Sequence, residues 1–520
     1  MKASTYPIFG REYPSRYDVI IIGAGIGGLV CANLLARAGV SVLVLERHYM
    51  LGGFCSTFRR KGFLFDAATH FYPLLGNPAT LTGKLLADLE IRTEWVKMDP
   101  VDTFHFRGMG RFTVPANFSD YIDKLKRWFP HEASAIDGYF TELRDAYLCG
   151  LLHYFKGVQN EKAERFESFT MAAKLDQHFR DVKLKALLMA DTPHWGSLPD
   201  RTSFLFDAML RLSYFLGNYY PKGSSQKFAD DLGRAIQARG GKVLKCVAAE
   251  NILVAGGAAR GVRARTVSHR ASEVFDFEAP VIVSNADALF TYRELIGPQY
   301  CDRWLLDRIE SMTPSFACFL IHLGLKGMDP DRLAAAEGYY WSSFEPSDAI
   351  RNVFKVFVPT HFDASIAPPG SQIIITQKLI PGRIEEIKDE ACHKESVMND
   401  VMARLRTALP DIDDHIVVKM GASALTSYRF TGNYQGAMLG WEMSPQQLGT
   451  GRLPFYTPVR NVYLTGHWTQ PGGGITPVIV SARRVAKAIL SGKDEDRHMA
   501  SQYFSFRERS APLGEGVVAR

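Results

Sequence analysis

Three glycine-rich turns hold the residue types that binding a phosphate or a flat ring requires. The first is Gly23-x-Gly25-x-x-Gly28, set between an apolar run, Val19–Ile22, and a helix expected to reach about Ala38. A second apolar run, Val40–Leu45, follows, and Glu46 lies 18 residues beyond the third glycine. Glycines at this spacing give a tight turn, let the backbone approach a pyrophosphate and let helix pack on strand. An acid near this point takes a ribose hydroxyl. Strand, helix, second strand and acid all stand in register, so the implied ligand is a dinucleotide. The second turn is the doublet Gly52-Gly53, a few residues past Arg47. The third is Gly472-Gly473-Gly474, inside Asn461-Val-Tyr-Leu-Thr-Gly-His-Trp-Thr-Gln-Pro-Gly-Gly-Gly-Ile-Thr-Pro477.

That last stretch reads as a buried strand, Val462–Thr465, turning into a helix. Thr476 is predicted to be its N-cap and Pro477 its first helical residue, where a missing N–H costs nothing. Val478, Ile479, Ala482, Val485, Ala486 and Ile489 then form one apolar face. A helix N-terminus presents unpaired N–H groups and roughly half a positive charge, so it stabilises an anion set against it. The glycines before it let a flat ligand reach the backbone without meeting a side chain.

The segment Arg47-His-Tyr-Met-Leu-Gly-Gly53, with a hairpin closing on Phe65-Asp66, resembles the Gly-Gly flavoproteins. These are the phytoene desaturases, carotenoid isomerases and retinol saturases, with amine oxidases and protoporphyrinogen oxidase as more distant cousins. Tyr219–Gly223, a helix around Phe228–Gln237 and Gly240–Val247 resemble their middle FAD-binding segment, Val247 being the position at the adenine edge. Pro280–Asp287 resembles the strand that follows, and Asn461–Pro477 resembles the desaturase and isomerase form of the last turn.

The resemblance implies an α/β chain, a Rossmann-like FAD-binding domain interwoven with an α+β substrate domain. The first would comprise residues 17–100, 221–300 and 455–492, the second 101–220 and 301–454, with a polar tail over 493–520. FAD would be held by Gly23, Gly25, Gly28, Glu46, Arg47, Gly52, Gly53, Val247, Gly466, Gly473, Gly474, Ile475 and Thr476. The implied activity is FAD-dependent oxidoreduction at carbon–carbon bonds of an apolar polyene, of desaturase type by hydride transfer to flavin N5. Cis–trans isomerisation with reduced FAD and retinol-saturase-like reduction use the same cofactor and slot. The implied electron acceptor is oxygen or a quinone.

Two positions depart from the family pattern. Phe54 stands where many desaturases and amine oxidases carry an Arg that reaches a FAD phosphate, so Arg59 or Arg60 would have to supply that charge. Isomerases and saturases commonly lack that Arg too. His467 follows Gly466, where such flavoproteins often place an acid or a small residue; with Trp468 it is expected to border the flavin. The candidate catalytic side chain is His70, in Phe65-Asp-Ala-Ala-Thr-His-Phe-Tyr72, at the family's flavin-flanking loop. Asp66 is expected to order that loop, while Asp413-Asp414 and Glu385-Glu386 read as solvated faces.

Composition narrows the classes. A chain of 520 residues is too long for one ordinary core. With 61 basic and 55 acidic residues the net charge is +6, mild enough to tolerate anionic lipid and no argument for nucleic acid. Seven scattered cysteines without a C-x-x-C argue for a reducing, cytoplasmic setting and against zinc or a disulfide framework. No secretory leader or membrane span is expected: the one long uncharged run, Val19–Ala36, is the nucleotide motif itself. Ser203–Leu216 and Leu143–Val158 are apolar on nearly all sides, and the resemblance favours peripheral membrane contact for them over burial. Phe316–Leu325 is read as an alternating strand, with a helix over Glu395–Leu409. A flavin amine or porphyrinogen oxidase is the second reading; a prenyl-protein escort on the same fold that has abandoned redox chemistry is the third.

Overall fold

The four residues Val-Ile-Ile-Ile at 19–22 leave no polar position for solvent, which demands a strand covered on both faces. In the computed structural model, which describes residues 4–155, 158, 160–267, 272–381 and 383–492, they form the centre of a parallel sheet. The tail expected over 493–520 lies outside the described residues. The sheet strands are β1 (Val19–Ile22), β2 (Val42–Glu46), β3 (Lys242–Lys245), β4 (Val281–Ser284) and β5 (Val462–Leu464). Their spatial order is β3-β2-β1-β4-β5, and every neighbouring pair is parallel. This is the Rossmann order, in which ligands lie beyond the carboxyl ends of the strands.

Alternate β1 residues feed two cores, as period-two geometry requires. Val19 and Ile21 pack with the helices Ile26–Arg37, Ser225–Ala238 and Ile475–Ser491. Ile20 and Ile22 face the other way, onto a three-stranded antiparallel sheet of Val247–Ala255, Ala258–Thr266 and Val274–Glu278. The strands of the parallel sheet thus come from three stretches far apart in sequence.

A second, seven-stranded sheet is built from the remaining stretches. Its order is Ile416–Ala422, Ala317–Lys326, Ser371–Ile380, Phe354–Phe357, Gly338–Trp341, Asp102–Phe106 and Gly110–Val114. Only the pair Gly338–Trp341 and Asp102–Phe106 is parallel among its neighbours. The strand expected to alternate does not. Ala317–Lys326 is buried at nearly every position, because Phe319, Ile321, Leu323 and Leu325 pack under the Glu390–Ala408 helix while Leu320 packs in the cluster of Phe63 and Phe65 on the opposite face.

The two all-round apolar segments divide. Ser203–Leu216 becomes the Phe204–Phe215 helix, and it is interior rather than a membrane-contacting surface, with Phe204, Leu205, Phe206, Leu212 and Tyr214 buried. Leu143–Val158 becomes the end of the Ala133–Gly150 helix and a π-helical turn, Leu151–Phe155, and there Leu148, Leu152 and Val158 are exposed. Among the described residues, no helix is long and apolar enough to cross a membrane.

Candidate functional site

The carboxyl ends of β1, β2, β4 and β5 form a cleft whose contacts are almost entirely backbone. A Cβ on Gly28 would stand 2.2 Å from Gly23 O, so the turn closes only on glycine. At the head of the Ile26–Arg37 helix, Gly25 is an N-cap with no side-chain cap and no acid in the first turn. Gly25 bridges Gly52, and Gly52 N–H donates to Ala24 O at 2.8 Å, so the doublet is pinned against the first glycine turn. Gly52 and Gly53 both take positive φ, and a Cβ on Gly53 would meet only the Cα of Gly25 within 4 Å.

Glu46 ends β2, and backbone N–H groups fix its carboxylate. Its Oε2 accepts Ala24 N–H at 2.8 Å and its Oε1 accepts His48 N–H at 2.7 Å. Burial raises its pKa, opposed by those two N–H groups. Next to it, β3 pairs Lys245 with Glu46 and then kinks at Cys246, whose N–H donates to His48 O, before Val247 enters the antiparallel sheet fully buried.

Arg47, expected at the cofactor, is spent elsewhere. Its guanidinium donates to the carbonyls of Tyr428 and Arg429 at the end of the Ala424–Thr431 helix, where a cation offsets the negative helix terminus. Thr476 is not an N-cap either. The helix starts at Ile475 on Gly474, whose φ of 104° no capping threonine would favour, and Thr476 Oγ1 donates to Pro73 O at 3.1 Å. The glycine turn therefore advances the helix start by two residues and leaves its N-terminus without a side-chain cap. A Cβ on Gly473 would stand 2.3 Å from Leu439 O.

Asn285 was missed by sequence reasoning. It follows β4 and fills the junction between the glycine turn and β5: a Cβ on Gly25 would lie 2.8 Å from its Nδ2, and one on Gly27 or Gly466 would lie 2.7 Å from its Oδ1. Its place just past a central parallel strand was the available signal. Behind the doublet, Asp66 orders its loop by accepting from Tyr220 Oη at 2.6 Å and Ser225 N–H at 2.9 Å. His467 Nε2 and Trp468 Nε1 both meet Asn433 Oδ1, and Trp468 packs edge-on against Trp441. His70 is fully buried against Phe357, and neither ring nitrogen has a protein partner; burial, then Lys355, holds its pKa well below the usual range. The cleft thus fits FAD: two uncapped helix N-termini, an anchored acid and glycines where a Cβ would clash.

Against the Gly473–Thr476 turn lies a cavity, part of it open to solvent. Its walls are apolar and aromatic: Phe71, Tyr147, Leu151, Phe155, Phe206 and Met209 among them. Its polar members are few, notably His194 and Tyr214. Behind Phe71 stands a buried charge cluster. Arg211 bonds Asp207 at 3.0 Å and Asp191 at 3.3 Å, and Lys355 Nζ bonds Asp102 at 2.8 Å while sitting 3.8 Å from the centre of the Phe71 ring. Burial pushes Asp102 and Asp207 each up to about 6.

Comparison with known proteins bears on this geometry. Residues 26–490 match the profile of the flavin-containing amine oxidoreductases. All-trans-retinol 13,14-reductase of Rattus norvegicus is 28% identical over 512 residues, covering 87% of this chain and 82% of that protein. The zeta-carotene-forming phytoene desaturase of Myxococcus xanthus is 25% identical, covering 96% of this chain and 98% of that one. The crystal structure of an oxidoreductase from Methanosarcina mazei superposes with a TM-score of 0.64 at 18% identity, over 90% of this chain and 100% of that chain. The chain belongs to the flavin-containing amine oxidoreductase family and is an FAD-dependent oxidoreductase.

Proposed function

We propose that this chain oxidises an apolar polyene, carotenoid or related terpenoid, at a carbon–carbon bond, in the desaturating direction. The observation that carries this reading is the apolar, ring-lined cavity set directly against the uncapped N-terminus of the Ile475–Ser491 helix. FAD, when bound, supplies a hydride acceptor whose reduced form is anionic. Gly23, Gly25, Gly28, Gly52 and Gly53 would take its pyrophosphate, Glu46 its ribose, backbone at Val247 its adenine edge, and Gly466 with Gly473–Thr476 its ring system. With neither a cap nor an acid in its first turn, the Ile475–Ser491 helix offers partial positive charge that stabilises an anion placed there. His70 would add an imidazole whose nitrogens have no protein partner, and Phe71, Phe206 and Met209 exclude water from the polyene.

In the balanced reaction the polyene loses a hydride from an allylic carbon and a proton from its neighbour, and gains a double bond. Oxygen or a quinone then takes up the two electrons. Residues 17–100, 221–300 and 455–492 form the cofactor-holding half and 101–220 with 301–454 the substrate half. The turn that supplies Leu151 and Phe155 to the cavity also exposes Leu148 and Leu152. A surface of this kind rests on a membrane and lets an apolar substrate pass from lipid to cavity, so we assign the protein a peripheral, cytoplasmic-side membrane location.

The test is product mass and retention time after incubating holoprotein with phytoene, ζ-carotene and cis-lycopene in liposomes, with the flavin oxidised or pre-reduced without oxygen. Loss of hydrogen pairs with oxidised flavin is the expected result. Gain of hydrogen with reduced flavin reverses the proposed direction, and unchanged mass with shifted retention makes the reaction an isomerisation. No change with any polyene overturns the substrate class.

A further inference from the structure

The segment that follows Ser423 lies in the substrate half, yet its contacts run along the carboxyl edge of the parallel sheet. At one end, Arg47 donates to Arg429 O at 2.9 Å and Tyr428 O at 3.3 Å, and the His48 ring meets Phe430 edge-on. Further along, Asn433 Oδ1 accepts from His467 Nε2 at 3.0 Å and Trp468 Nε1 at 2.9 Å, and Tyr434 N–H donates to Asp287 Oδ2 at 2.8 Å. Arg47 and His48 stand just past β2, Asp287 just past β4, and His467 with Trp468 just past β5. Residues 428–434 therefore reach from the end of β2 to the ends of β4 and β5. Between β2 and β4 lies β1, whose end carries the first glycine turn. This is the edge at which the fold holds its ligand.

Both ends of the segment are rooted in its own half. Ser423 Oγ donates to Glu390, and Gln435 bonds Ile384 N–H and the Glu385 carboxylate. The middle is lightly packed: the Ala424–Thr431 helix buries Ala424 alone, and Tyr428 and Phe430 are 43% and 55% exposed. The exposed Arg429 also pairs with Glu390, a kind of contact worth little. Elements with so few buried side chains open at low cost.

We infer that residues 424–434 are a strap across the cofactor cleft, that FAD enters and leaves only when the strap lifts, and that Arg47 is its latch. The strap presupposes the cofactor site proposed above. Arg47 then acts on FAD without touching it. It is a positioning residue, holding the strap down by two carbonyls at a helix C-terminus, where a cation is favoured. A latch and a phosphate contact differ in kinetics. Weakening a latch raises the open fraction, so association and release quicken by one factor and the dissociation constant holds. Losing a direct charge contact quickens release and leaves association unchanged or slower.

The experiment follows FAD on the full chain in both directions. Release is read as exchange of bound FAD for excess labelled FAD, and association as fluorescence quenching when FAD meets flavin-stripped protein. Arg47 is exposed, so its replacement leaves the core intact. Arg47→Met should speed both processes about fivefold or more and keep the dissociation constant within about twofold. Amide hydrogen exchange over residues 428–434 should quicken by the same factor. Arg47→Lys, which keeps a cation at the helix end, should restore most of the slow exchange. Asn433→Ala, which frees the far end, should speed both processes again. Faster release with unchanged or slower association in Arg47→Met makes Arg47 a direct cofactor contact and overturns the inference. So do unchanged rates in that variant. FAD affinity unmoved by Glu46→Ala overturns the cofactor site, and the strap with it.

Discussion

The cofactor cleft and the substrate cavity meet at Gly473–Thr476, yet they are made of different material. In the cleft the surfaces are backbone at strand ends, and only a few side chains, Glu46 and Asn285 foremost, take part. The cavity is walled mostly by side chains drawn from six stretches, 71–74, 147–155, 194, 206–214, 439–448 and 471–477. A cleft made of backbone fixes one ligand shape, because Gly25, Gly28 and Gly473 leave no room for a Cβ. A cavity made of side chains keeps its walls when one of them changes size, and what it admits shifts instead. Substitutions should therefore act on the cofactor in one region and on substrate choice in the other.

The largest effect that would break this contrast is at Gly28. A Cβ there would stand 2.2 Å from Gly23 O, so Gly28→Val should yield protein with no bound FAD and a disrupted glycine turn. Met209→Ala, in the cavity wall, should keep a full flavin complement. Flavin absorbance per mole of protein checks both, and flavin loss in Met209→Ala would erase the distinction. A smaller effect is expected at Glu46 and Gly53. Glu46→Ala removes the carboxylate for the ribose, and Gly53→Asp sets a strained, charged residue at a φ of 60°. Each should lower flavin affinity about tenfold or more without unfolding the chain, since hydrogen bonds to charged groups contribute about 1.5–3 kcal/mol. Normal flavin content in both variants would refute the cofactor contacts proposed.

Behind the cavity the contrast sharpens. Among the described residues, Arg211 is the one ion-pair partner of Asp191 and Asp207, and all three are buried. Arg211→Met should cost about 3–5 kcal/mol of unfolding free energy, the usual penalty for leaving buried charge unpaired, while the purified protein keeps its FAD. Urea unfolding with a flavin readout separates the two. A cost below about 1 kcal/mol would mean that the two carboxyls are already protonated and the cluster is not ionic.

The same contrast explains which features were legible. Glycine spacing is a backbone property, so β1, β2, the first turn and the last strand–helix unit could be read directly. Their edges could not: the apolar run puts the second strand at Val40–Leu45 and it runs Val42–Glu46, and the last helix starts at Ile475 rather than Pro477. At the helix start, the preference of threonine for capping lost to a glycine turn that had already set the geometry. Alternation in Ala317–Lys326 failed because two separate layers cover that strand, a fact held by the Glu390–Ala408 helix and the Phe63–Asp66 hairpin strand and not by the strand itself. Arg47 followed the family pattern up to the Ala424–Thr431 helix, which takes its guanidinium. His194 and Tyr214 carry no mutual spacing signal, since each reaches Phe71 only after two stretches fold around it.

The smallest prediction uses one histidine from each region. Burial, followed by Arg452 for His467 and by Lys355 for His194, lowers each from 6.5 to about 3. Folded protein therefore leaves both neutral where the unfolded chain binds a proton at each. Protons taken up by the unfolded state draw the equilibrium toward it, so the contribution of each histidine is intact above 6.5 and is lost as pH falls from there toward 3. Each loss is about 1.4 kcal/mol per pH unit once well below 6.5. In urea unfolding between pH 7.5 and 5, His194→Gln and His467→Gln should each flatten the acid limb by one proton, and the double variant by two. A limb unchanged in His194→Gln but flattened in His467→Gln would show that water reaches and charges the cavity histidine. The cavity would then be hydrated where the surroundings of His467 are not.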